Sequence, residues 1–228
     1  LFISTTTFAE EYKDSLKNLS EAKVVYELNP QKRKLLPEET AYFAAKSTAI
    51  IAGVEDLTPL VESSKSLKFI CRLGVGLENV PFDLCQKKGI KVSFTPDSVT
   101  PAISELTVSL MLSTVRNICL SDRLIRLGKW KRKMGMRLGG STVGLIGFGR
   151  VGQQVAELLI SFKPKLVLVY DTQLNQEQFD KIQQKGLNLK IVSLNELLGA
   201  SDIVSLHVGL NKSTRNMISK RELVLMNR

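Results

Sequence analysis

The 228-residue sequence is short of the residues that build covalent staples and metal sites. It holds three cysteines, Cys71, Cys85 and Cys119, and a single histidine, His207. The cysteines form no C-x-x-C pair and are odd in number, which argues against a disulfide framework or a zinc site. A reducing, cytoplasmic setting is the expectation that follows. No apolar run reaches the ~20 residues a helix needs to cross a bilayer, so no membrane partner is expected. A basic-then-apolar secretory signal is missing from the opening residues. The chain begins at Leu1 rather than Met, so its true start is expected upstream. Internal repeats and low-complexity linkers are missing too.

Acidic residues are the scarcer charge, 22 against 32 basic, for a net charge of +10. The basic residues are dispersed, with short clusters at Lys32-Arg33-Lys34 and Lys129-Trp130-Lys131-Arg132-Lys133. Clusters this short read as solvated loops, so no nucleic-acid partner is expected. The summed field instead suits anionic small molecules.

What the sequence does have is hydrophobic residues, 43% of the total, arranged as short apolar runs between helix-like segments. That alternation predicts parallel sheets buried on both faces. Strands are expected at residues 1–4, 22–28, 48–52, 67–72 and 90–93, with helices over 9–19, 37–46 and 81–88. Together they make one α/β domain over residues 1–96. Thr95-Pro96-Asp97 then breaks the pattern. Thr100 reads as a helix N-cap and Pro101 as the first helical residue. The run 102–120 is apolar on most faces, so a helix there must be buried in the protein or against another subunit. It is expected to cross between domains and to offer a homodimer surface over 101–120.

A second α/β unit follows, giving a domain over 97–228. Its expected strands are 142–146, 166–170, 189–192 and 203–207, and its expected helices 150–162, 175–186, 194–199 and 219–226. The segment Val143-Gly144-Leu145-Ile146-Gly147-Phe148-Gly149-Arg150-Val151-Gly152 contains G-x-G-x-x-G between a strand and a helix. In that setting Gly147 permits a tight turn, Gly149 lets the backbone approach a pyrophosphate, and Gly152 lets helix and strand pack closely. The N-terminus of the following helix directs free N–H groups at phosphates. Asp171 ends the next strand 19 residues beyond Gly152, where a carboxylate bonds ribose hydroxyls and repels a 2′-phosphate. The expected cofactor is therefore NAD rather than NADP.

Several ordered segments resemble the D-isomer-specific 2-hydroxyacid dehydrogenase family. Arg72-Leu73-Gly74-Val75-Gly76-Leu77-Glu78-Asn79-Val80 is similar to that family's RxGxGxDNxD segment. Thr95-Pro96-Asp97, then Ala102-Ile103-Ser104-Glu105-Leu106-Thr107, resembles TPD…AVAELT. Gly128-Lys129-Trp130 resembles G-x-W, and Ser205-Leu206-His207-Val208 with Ser213-Thr214-Arg215 resembles SLHxPLTxxT. The opening Ile3-Ser4-Thr5-Thr6 and the phrase Asn29-Pro30…Arg33-Lys34-Leu35 look closest to the phosphoglycerate dehydrogenase branch.

The resemblance implies a Rossmann-type NAD domain, incomplete at its C-terminal end, and a smaller, flavodoxin-like substrate domain that closes over it. It implies hydride transfer between the nicotinamide and C2 of a 2-hydroxy or 2-oxo acid, leaning towards 3-phosphoglycerate. Val75 and Gly76 would offer N–H groups to the substrate carboxylate. Arg150 and Val151 would lie against the pyrophosphate. Thr107 and the loop of His207, Val208 and Gly209 would border the cofactor, with Thr214 shaping that loop. His207 belongs to the cofactor side; the family's catalytic arginine, glutamate and histidine are expected beyond Arg228. The chain as given is therefore expected to be a poor catalyst.

Departures from the family pattern are Gly209 for proline, which predicts a looser loop, Phe94 for asparagine, Glu78 for aspartate, and Lys163-Pro164 where glycine is frequent. Two rival readings stand beside the enzyme. One is an NAD-sensing, corepressor-like binding protein on the same fold. The other is nucleic-acid binding, which rests on charge alone.

Overall fold

In the computed structural model, residues 1–6, 8 and 13–227 are described. The chain divides into two units, Leu1–Val99 and Thr100–Arg228, against a division at 96/97 in the sequence reading. Each unit wraps its own parallel sheet.

The first unit contains β1 (Phe2–Ile3), α1 (Lys13–Glu21), β2 (Glu27–Leu28), α2 (Pro37–Phe43), β3 (Ala49–Ala52), α3 (Thr58–Ser63), β4 (Phe69–Arg72), α4 (Phe82–Lys87) and β5 (Lys91–Phe94). Its sheet runs β2-β1-β3-β4-β5, all parallel, the flavodoxin-like order. Phe2, Ile50, Leu57, Leu60, Val61 and Ile70 fill the core. Buried Asn29 ties the end of β1 to the following loop: its Nδ2 donates to the carbonyls of Ser4 at 2.7 Å and Arg33 at 2.8 Å.

Three expectations change here. The strand foreseen at 22–28 shrinks to β2, because it is an edge strand that among the described residues pairs only with β1, and Val25 is 86% exposed. The helix foreseen at 9–19 extends to Glu21; its residues 9–12 lie outside the described set. Helix α3 was not foreseen, since its six residues are too few to show a helical period.

The second unit contains α5 (Thr100–Val115), α6 (Ile118–Arg126), β6 (Thr142–Ile146), α7 (Arg150–Leu159), β7 (Leu166–Tyr170), α8 (Gln176–Gln184), β8 (Leu189–Ile191), α9 (Leu194–Ala200), β9 (Ile203–Leu206) and α10 (Lys220–Leu225). Its sheet runs β8-β7-β6-β9, all parallel. Numbered within the unit, that is 3-2-1-4, the first four positions of the Rossmann order. Strands β6 and β7 match the expected bounds because both are buried on two faces, so every residue of Val143-Gly144-Leu145-Ile146 and of Val167-Leu168-Val169 is buried. Lys163 adopts φ 49°, the left-handed conformation that makes glycine frequent at such a helix end.

The long apolar run behaves differently from its forecast. It is not one buried helix over 102–120. Asn117 takes φ 54° and breaks it into α5 and α6, a conformation asparagine tolerates better than most residues. Helix α5 begins at Thr100, one residue earlier than expected. It buries Ser104, Val108, Met111 and Val115 against its own unit, while Leu106 and Leu110 remain 59% and 58% exposed. No single helix among the described residues is long and apolar enough to cross a membrane. Among the described residues strand β9 pairs only with β6, and a groove of about 740 Å³ runs between it and α5.

Candidate functional site

The glycine loop leaves β6 at Ile146. Gly147 has φ 95° and donates its N–H to the Tyr170 carbonyl at 2.8 Å. A Cβ at Gly147 would stand 2.6 Å from the carbonyl oxygen of His207, and one at Gly152 would strike the carbonyl of Gly147. Both obstacles are backbone, so the loop admits no larger residue at either place. Gly149 caps α7, and nothing lies within 4 Å of where its Cβ would be. Its side faces open space, as a loop that receives a ligand against its backbone requires. Arg150 and Val151 open α7, and the first turn of a helix directs its N–H groups outward along the axis.

Asp171 follows β7. Its Oδ2 accepts the Phe148 N–H at 2.6 Å and its Oδ1 accepts the Gln173 N–H at 2.7 Å. One carboxylate therefore joins the end of β7 to the glycine loop. Phe148 is buried beneath that loop and packs on Phe179, with ring centroids 5.8 Å apart.

The third wall comes from the loop after β9. His207 donates its backbone N–H to the Ile146 carbonyl at 2.7 Å, prolonging the pairing of β9 with β6. The Thr214 hydroxyl donates to the Gly209 carbonyl at 2.7 Å and accepts the Asn211 N–H at 2.8 Å. The Asn211 Oδ1 accepts the Ser213 N–H at 2.8 Å. These bonds hold the loop that Gly209 was expected to loosen.

A cleft of about 350 Å³ gathers Gly147, Gly149, Asp171, His207, Val208, Gly209 and Thr214, all named from the sequence. Tyr170, Thr172, Asn211, Ser213 and Met217 line it as well. Of these, Asn211 carried a legible signal, because asparagine two and three residues before Ser213-Thr214 is a turn former. Thr107 stands elsewhere: its hydroxyl donates to the Ile103 carbonyl at 2.8 Å, and it lines the groove between α5 and β9 rather than the cleft. His207 borders both. Burial pushes the His207 imidazole below its ordinary pKa, and its Nε2 is buried without a hydrogen-bond partner. Burial thus disfavours its charged form.

Val75 and Gly76 lie in the first unit, in the loop after β4. The Gly74 N–H donates to the Thr95 hydroxyl at 2.8 Å, and the Leu73 N–H to the Ala52 carbonyl at 2.9 Å. The carboxylate of Glu78 lies against Gly76, with Oε1 2.9 Å from the position a Cβ would take.

Residues 108–228 match the family model described as the D-isomer specific 2-hydroxyacid dehydrogenase, NAD binding domain. The chain belongs to this dehydrogenase family. It is 35% identical over 195 residues to a hydroxypyruvate reductase of Thermotoga maritima, covering 85% of this chain and 59% of that protein. It is 36% identical over 193 residues to a D-3-phosphoglycerate dehydrogenase of Archaeoglobus fulgidus, covering 84% of this chain and 34% of that one. Among solved structures, a D-lactate dehydrogenase from Aquifex aeolicus, complexed with NAD and lactic acid, superposes with a TM-score of 0.79 at 28% identity. That match covers 99% of this chain and 65% of the other. The chain thus spans between a third and two thirds of the length of these relatives. The second unit is an NAD-binding domain, and its cleft fits that cofactor: an open glycine at a helix N-terminus faces a pyrophosphate's needs, and a carboxylate closes the neighbouring strand.

Proposed function

We propose that this chain holds NAD and a 2-hydroxy or 2-oxo acid for hydride transfer at the acid's C2. The observation that carries this reading is the joining of Asp171 to the glycine loop through the Phe148 N–H. The bond aligns the two groups that a dinucleotide needs, a carboxylate for the ribose hydroxyls and the N-terminal end of a helix for the pyrophosphate. When bound, NAD supplies a hydride acceptor or donor. In this reading the N–H groups of Arg150 and Val151 take the pyrophosphate. Neutral His207, with Val208 and Gly209, walls the cofactor side without moving a proton. Val75 and Gly76 seat the carboxylate of the acid.

Within that class we propose 3-phosphoglycerate as the first substrate to try, on the strength of the opening segment and of Asn29 with its neighbours. Glyoxylate and hydroxypyruvate are the competitors. We also propose that these 228 residues lack the acid–base group: the one histidine is His207, buried on the cofactor side. Losing a positioned acid–base costs ~10²–10⁴ in rate. Following NADH absorbance with each 2-oxo acid tests both halves. Binding without appreciable turnover is expected, and turnover at ordinary enzyme rates contradicts the second half.

The exposed apolar side chains Ile103, Leu106, Leu110 and Ile118 support a homodimer through 101–120, since contiguous apolar surface marks interaction sites. Sedimentation is expected to give a dimer that Leu110→Glu disperses; a monomeric parent chain would overturn this.

A further inference from the structure

One buried charge takes no part in the cofactor cleft. Arg72 closes β4 and is 7% exposed. Its Nη1 donates to the Leu73 carbonyl, and its Nε is buried without a hydrogen-bond partner. Among the described residues, no carboxylate stands within ion-pair distance of it. Burying a charge without a counter-charge is strongly unfavourable. Arginine cannot escape by losing its proton.

The guanidinium lies against the loop after β4. Its Cζ stands 3.1 Å, and its Nη2 3.3 Å, from where a Cβ of residue 74 would be. Gly74, at φ 134°, leaves room for that approach. The loop is thus held from two directions, by the guanidinium at Gly74 and by the Thr95 hydroxyl on the Gly74 N–H. Val75 and Gly76 come directly after. The Glu78 carboxylate lies against Gly76.

We propose that Arg72 is a positioning residue for the acid's carboxylate. Its uncompensated charge, seated at Gly74, holds the loop ready for an anion and selects the ionised acid over a neutral molecule of the same shape. The inference rests on the reading of Val75 and Gly76 as the carboxylate's seat. A 2-oxo acid brings the counter-charge that Arg72 lacks; an ester does not.

The test uses the whole chain saturated with NADH and two probes, oxamate and methyl oxamate, with the melting temperature as readout. Oxamate is expected to stabilise the parent chain saturably, and the ester is not. Arg72→Met is expected to weaken oxamate by about tenfold or more and to erase the preference over the ester. NADH affinity should not change, because that cleft lies in the other unit. Arg72→Lys, which keeps the charge, should keep the preference. A folded Arg72→Met chain with the parental oxamate response overturns the proposal. If Arg72→Met does not fold, Arg72→Lys decides, and an equal response to acid and ester there overturns it. A parent chain that binds NADH yet ignores oxamate counts against the seat at Val75 and Gly76, and the role of Arg72 falls with it. One that fails to bind NADH counts against the proposed function instead.

Discussion

Both units carry a glycine-x-glycine loop directly after a parallel strand, yet the glycines are there for different reasons. In the second unit, side chains at Gly147 and Gly152 would meet backbone carbonyls, those of His207 and Gly147. That backbone is pinned by the bonds of the His207 and Gly147 N–H groups to the ends of β6 and β7 and cannot easily step aside. In the first unit, side chains at Gly74 and Gly76 would meet the ends of Arg72 and Glu78. Those are flexible side chains, and they carry charge. The same sequence signal thus marks glycines hemmed in by backbone in one unit and glycines that make room for charged side chains in the other.

The sharpest way to break this comparison is to add a methyl group at each place. Gly147→Ala combines a positive φ with a backbone clash, and Gly152→Ala drives a Cβ into the loop it supports. Each is expected to lower stability by about 1–3 kcal/mol and to abolish NADH binding, as read by denaturant melts and fluorescence. If either alanine chain binds NADH normally, the cradle is not rigid.

A pH series gives a smaller effect in the same unit. Burial lowers the His207 pKa from 6.5, so the folded state resists a proton that the unfolded state accepts. The stabilising contribution of the neutral ring is present above 6.5 and is lost as pH falls below it towards the folded value. Melting temperatures between pH 7.5 and 5 should fall more steeply, on the order of the scale set by one group, in the parent than in His207→Gln. Parallel curves would mean that the ring is solvated.

Smallest of all should be Gly76→Ala. The Glu78 side chain can swing away, so the expected loss in a denaturant melt is within about 0.5 kcal/mol. A loss as large as that at Gly147 would erase the distinction between the two loops.

What was legible in the sequence follows the same division. Strands β6 and β7 are buried on both faces, so their residues read as unbroken apolar runs and their bounds were clear. The glycine loop and Asp171 were legible because dinucleotide chemistry needs fixed spacings, the 207–209 segment was named from resemblance, and the three line one cleft. Strand β2 was overcalled: an edge strand needs few apolar partners, and the exposed Val25 mimicked a core residue. The break at Asn117 was hidden inside a continuous apolar run, since hydrophobicity does not report one left-handed residue. Thr107 was assigned from resemblance, and the helix that carries it turns it towards the groove beside β9. The unpaired burial of Arg72 was invisible for a simpler reason, because burial and the absence of a partner are properties of three dimensions.

The most direct test of the central claim is an NADH fluorescence titration of the parent chain beside Asp171→Ala. The Asp171 carboxylate both holds the glycine loop through Phe148 and faces the cleft. Saturable binding is predicted for the parent, weakened about ten- to a hundredfold in the variant, the scale of hydrogen bonds to a charged group. A folded, monodisperse parent that binds no NADH, or a variant that binds it equally well, would contradict the claim.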